Sequence, residues 1–138
     1  MPSTGLGHDL PRLRTAWMAI GWSGVLIVAV MSLVPRPPEL GIEHGDKVQH
    51  LLAYGSLMLW FAQVRVERGA RRVTALALVA MGIGLEFAQG MTGYRTYSYA
   101  DMAANTTGVI LGWLAAPPRL PNAYRRLARR LAPPGTPD

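Results

Sequence analysis

From Ala16 to Val34 the chain reads AWMAIGWSGVLIVAVMSLV, an apolar run without a single charge, closed by Pro35, Pro37 and Pro38. A hydrocarbon core of about 30 Å needs roughly 17 to 25 helical residues, and within it every backbone amide must be paired internally, so a run like this is expected to be a helix in lipid. Three further apolar segments follow, at 48–64, 73–89 and 100–116, the last closed by Pro117 and Pro118. They sit at the short end of the spanning range, where polar residues snorkelling from the ends rescue a short span. The chain has 138 residues, 50% hydrophobic and 16% charged, fewer charges than the roughly 25% usual in soluble domains. The expected fold class is therefore all-α, a polytopic membrane protein with four transmembrane helices in a single domain. A cleaved signal peptide is disfavoured, because the first run exceeds the usual apolar region and no small-x-small site follows it.

The basic residues predict an orientation. Arg12 and Arg14 precede the first segment, Arg65, Arg68, Arg71 and Arg72 lie between the second and third, and Arg119, Arg125, Arg126, Arg129 and Arg130 follow the fourth. Only Arg36, Lys47 and Arg95 fall on the other side, the alternation that four spans require under the positive-inside rule, with both termini cytoplasmic. The isoelectric point near 10.5 is then a consequence of topology, and no nucleic-acid motif accompanies it. Residues 1–14 are expected to be a disordered basic N-terminus, 15–117 the membrane domain and 118–138 a basic amphipathic tail. In that tail Asn122 is a candidate helix cap, with Leu120, Tyr124, Leu127 and Leu131 on one face and arginines opposite. Such a helix suits an anionic leaflet or serves as a solvated anchor. The Pro- and Gly-rich ends, PSTGLG and PPGTPD, are expected to be disordered. Cysteine is absent, which removes disulfides, thiolate metal sites and cysteine nucleophiles.

Polar residues inside the segments carry the functional signal. Asp46, His50 and Tyr54 stand at i, i+4 and i+8, one stripe descending a helix with His50 about 6 Å and Tyr54 about 12 Å below Asp46. Glu86 and Gln89 lie in the last turn of the third segment, and Asp101 and Asn105 open the fourth on the face that continues to Gly108 and Gly112. These residues share one depth under the expected topology. A charge at the centre of a span costs about 2.5–3.5 kcal/mol, so Glu86 is expected to face protein or water, with Lys47, His50 and Arg95 as candidate partners. Gly108 and Gly112 form a GxxxG pair that admits a neighbouring helix.

DKVQHLLAYG, LEFAQG and YRTYSYADMAANTTGVILG together strongly resemble the VanZ-like family, whose members share DK-x-x-H-x-x-x-Y, E-x-x-Q, and an Arg followed by D-x-x-x-N-x-x-G. The resemblance runs from about Asp46 to Gly112 and includes Asp46, Lys47, His50, Tyr54, Glu86, Gln89, Arg95, Asp101, Asn105 and Gly108. It implies a small multi-pass protein of the bacterial cytoplasmic membrane and cell envelope. The family's namesake is associated with resistance to the glycopeptide teicoplanin. The resemblance supplies no settled reaction.

Three readings of the cluster stand open. In one, the polar residues are interhelical glue. In the second, Asp46, Lys47, His50, Tyr54, Glu86, Gln89, Arg95, Asp101 and Asn105 bind an anionic lipid or cell-wall precursor headgroup, with Lys47 and Arg95 on its phosphate. In the third, Glu86 or His50 is the general base of a hydrolase or transferase with Asp101 as orienting partner, although no GxSxG, HExxH or Walker loop is present. No cofactor is expected, and no metal: a divalent ion among His50, Glu86 and Asp101 is geometrically conceivable, but a single histidine at that level argues against zinc. Ser98 is expected to cap the following helix rather than act as a nucleophile. Tyr94, Tyr97 and Tyr99 crowd the loop before it, as aromatic residues do at headgroup level. The lipid bilayer is the expected partner, nucleic acid is not, and the oligomeric state is not legible.

Overall fold

The computed structural model describes residues 10–132; the expectation of disorder at the two Pro- and Gly-rich ends falls on residues outside that range. Five helices follow one another among the described residues: α1 (Pro11–Leu33), α2 (Gly45–Ala62), α3 (Arg68–Met91), α4 (Tyr99–Ala115) and α5 (Ala123–Leu131). Pro11 occupies the first turn of α1, where its missing N–H is no loss, so the helix begins inside the segment expected to be disordered. Ser98 caps α4 by accepting a hydrogen bond from the Asp101 amide, and Asn122 caps α5 through the Arg125 amide, as both were expected to do. Ser23, Thr74 and Thr106 turn their hydroxyls back onto carbonyls four residues earlier, which hides polar groups from otherwise apolar faces.

The first four helices run up and down in an antiparallel bundle. The α2–α4 pair is its spine, because glycines remove the side chains that would separate the backbones. A Cβ on Gly108 would collide with the Leu51 carbonyl, one on Gly112 with the Gly55 carbonyl, and one on Gly55 would lie 3.1 Å from the Gly108 carbonyl. The GxxxG pair is thus a close-approach seam. Tyr54, Leu57, Met58, Phe61, Leu78 and Val109 fill the core beside it. Helix α1 joins through Trp17 and Trp60, stacked at 4.0 Å, with each indole N–H donating to the other's carbonyl at 3.2 and 2.9 Å.

The expectation of four spans is corrected. Only α1, of 23 residues, and α3, of 24, are long and apolar enough to cross a membrane among the described residues. The 18 residues of α2 open with GDKVQH, and the 17 of α4 contain Asp101, Asn105 and two threonines. Length and composition, rather than the direction of their side chains, keep α2 and α4 short of a spanning run. In α1 and α3 the apolar windows are 11% and 22% buried, far below what a soluble core helix needs, and Leu26, Ile27, Val73 and Leu76 are exposed.

Candidate functional site

The antiparallel arrangement brings the N-termini of α2 and α4 beside the C-termini of α1 and α3. Asp46, Lys47, His50, Glu86, Asp101 and Asn105 meet there. Lys47 donates to Asp46 Oδ2 at 2.7 Å, and its Nζ lies 3.1 Å from Asp101 Oδ1, an ion pair without hydrogen-bond alignment. The hydrogen bond from Lys47 holds the Asp46 carboxyl below its ordinary pKa, and the two neighbouring carboxylates, Asp46 first and then Asp101, raise that of Lys47. Opposite charges stabilise each other's ionised forms here. His50 Nδ1 is 2.8 Å from Asn105 Oδ1, which ties α2 to α4 across the seam, while Nε2 stands 3.9 Å from Asp101 Oδ2.

Glu86 and Asp101 are nearly lost to solvent, at 1% and 6% exposure. None of the three expected side-chain partners hydrogen-bonds Glu86; the Ser98 backbone amide does, donating to Oε2 at 3.0 Å. Sequence reasoning placed Ser98 only as a cap, and a backbone donor leaves no residue-type signal to find. Tyr54 reaches the same region at 1% exposure, but its hydroxyl has no hydrogen-bond partner. Gly82 on α3 makes room for Asn105 and Tyr54: a Cβ there would lie 3.0 Å from Asn105 Nδ2 and 3.2 Å from the Tyr54 ring.

Gln89 and Arg95 depart from the expected cluster. Gln89 Nε2 donates to the Ser32 carbonyl at 2.7 Å, Arg95 donates to the same oxygen at 3.2 Å, and the Tyr94 hydroxyl donates to the Leu33 carbonyl at 2.6 Å. The last four carbonyls of a helix lack intrahelical partners, and these three side chains satisfy two of those of α1, at Ser32 and Leu33. Ser32 was not singled out from the sequence, and it acts through its backbone oxygen alone.

The opposite end of the bundle is basic. Arg71 is consumed by structure, donating to the Arg65, Pro117 and Ala62 carbonyls at 2.9, 2.6 and 3.2 Å. Beside it, Arg68, Arg125, Arg126 and Arg129 line a groove of about 600 Å³. The tail helix is docked rather than free: Asn122 donates to the Gln63 carbonyl, Gln63 Oε1 accepts from the Ala123 amide, both at 2.8 Å, and Tyr124 packs edge-on against Trp17. Leu120, Leu127 and Leu131, expected on its apolar face, remain exposed.

No family model and no solved structure matches the chain. An uncharacterised protein of the fission yeast Schizosaccharomyces pombe is 30% identical over 94 residues, which cover 65% of this chain and 57% of that protein. The chain therefore spans little more than half the length of the relative it matches. These comparisons carry neither the VanZ-like resemblance nor a link to teicoplanin.

Proposed function

We propose that this is a membrane protein that binds a phosphorylated lipid headgroup at the polar end of its bundle. The observation that carries the reading is the convergence of Asp46, Lys47, His50, Glu86 and Asp101 at one end of a bundle whose α1 and α3 expose apolar faces. Ionisable groups gathered beside lipid are costly, and packing alone does not require so many of them. Lys47, one-third exposed, is the donor at the rim for a headgroup phosphate, and the carboxylates behind it face the rest of the headgroup. Tyr94, Tyr97 and Tyr99, all exposed, flank that rim at the level where aromatic rings meet headgroups. Arg95 has a smaller share in this reading than in the sequence-based one, because it also caps α1. A bacterial cytoplasmic membrane, and an influence on teicoplanin susceptibility, are the more specific form that the VanZ-like resemblance suggests.

The test is native mass spectrometry of the full chain with phosphatidylethanolamine, phosphatidylglycerol or diacylglycerol. The phosphate-bearing lipids are retained and diacylglycerol is not, and Lys47→Gln loses the retention. Equal retention of all three defeats the proposal, as does retention that survives Lys47→Gln but disappears when Arg125, Arg126 and Arg129 are changed to Gln.

A further inference from the structure

We propose that His50, Glu86 and Asp101 form a binding site for one divalent first-row cation, with Mn2+ the ion best matched to the donors. One ligand atom from each residue lies within 4.8 Å of the other two. Donors about 2.0–2.6 Å from a shared cation stand at most roughly 5 Å apart, so small side-chain movements complete the set.

The surroundings fit a cation better than they fit the three residues alone. Asn105 Oδ1 is only an acceptor, so the proton of the neutral imidazole sits on Nδ1 and the lone pair on Nε2, on the side of Asp101. An oxygen acceptor that orients the distal nitrogen is the usual support of a metal-binding histidine. The 3.9 Å from Nε2 to Asp101 Oδ2 is too long for a hydrogen bond. Two nearly buried carboxylates also need compensating charge. Lys47 serves Asp101 but is shared with Asp46, while Glu86 accepts only a backbone amide from Ser98. Asp101 Oδ1 and the Tyr54 hydroxyl, one helical turn beyond His50 on α2, are buried without a hydrogen-bond partner. A cation with its remaining water ligands supplies the missing charge. One imidazole and two carboxylates, with no sulfur, suit Mn2+ and leave positions open. Sequence reasoning argued against zinc by counting histidines; the carboxylates and the orienting Asn105 shift the match to a harder ion.

The inference stands apart from the headgroup reading, because the metal alone is the probe. Full-chain protein in detergent, stripped with a chelator, is titrated with Mn2+ while the signal of the free ion is followed by electron paramagnetic resonance. One Mn2+ binds per chain, and electron spin-echo spectra show a single imidazole nitrogen coupled to it. Asn105→Ala weakens binding about 10- to 100-fold, and Glu86→Gln and Asp101→Asn weaken it at least as much. Asp46→Asn, in the same charge cluster but outside the ligand set, leaves the stoichiometry and the nitrogen coupling intact. Absence of stoichiometric Mn2+, absence of nitrogen coupling in the wild type, or equal weakening by Asp46→Asn and Glu86→Gln overturns the proposal. The wild-type spectrum decides even where a variant fails to fold.

Discussion

Replacing Gly108 by Ala tests whether the site depends on how closely α2 and α4 approach. The new methyl group would collide with the Leu51 carbonyl and lie 3.1 Å from the Gly55 amide nitrogen. Both obstacles are backbone atoms of a packed helix, so no flexible side chain can yield. Overpacking of this kind typically costs about 1–3 kcal/mol. Against it stands the gain of replacing a helical glycine, roughly 0.8–1.0 kcal/mol. Gly84→Ala on α3 isolates that second quantity, since nothing lies within 4 Å of its Cβ position. The difference between the two variants is then the overpacking cost alone, about 1–3 kcal/mol with Gly108→Ala the less stable. Reversible denaturation in detergent, followed by helical circular dichroism, measures it. Asn105 lies on α4 one turn before Gly108, so the forced separation also draws it away from His50. Gly108→Ala is therefore expected to lose Mn2+ affinity and Gly84→Ala to keep it. Equal stability of the two variants would refute the seam as the element that sets the site.

Trp22 is 59% exposed on α1, whereas Trp17 is 8% exposed in its stack with Trp60. In vesicles of brominated lipid, part of the tryptophan fluorescence should be quenched and Trp22→Phe should remove much of that quenching; unchanged quenching would mean that this face of α1 does not meet acyl chains. At the other end, Gln63→Ala deprives the Ala123 amide of its acceptor. Losing an ordinary hydrogen bond costs about 0.5–1.5 kcal/mol, so hydrogen exchange in α5 should accelerate ahead of the bundle. Exchange of α5 in step with α2 would show that this contact does not hold the tail.

Much of the site's local geometry was legible because it lies within single helices. The stripe of Asp46, His50 and Tyr54, the shared face of Asn105 and Gly108, and the caps at Ser98 and Asn122 follow from 3.6 residues per turn and from which side chains accept an amide hydrogen. Contacts between elements were harder to read. Gln89 seemed to belong with Glu86, three residues away on the same helix, yet it satisfies Ser32 on α1 while Glu86 takes a backbone amide ahead of α4.

Composition and periodicity by themselves determined that the chain is helical, that α1 carries an uncharged apolar run from Ala16 onward, and that disulfides are absent. Tertiary structure alone decided that α2 and α4 meet backbone to backbone along their glycines, whereas the reduction from four expected spans to two follows from helix length and composition. It also decided that His50, Glu86 and Asp101 stand within reach of one ion, and that Arg95 turns to the end of α1. The physical reason is that a helix fixes the angle at which each side chain leaves its axis, whereas the distance and rotation between axes depend on what the packed surfaces allow. Here those surfaces are glycines, and the backbones meet where the sequence has no side chain to keep them apart.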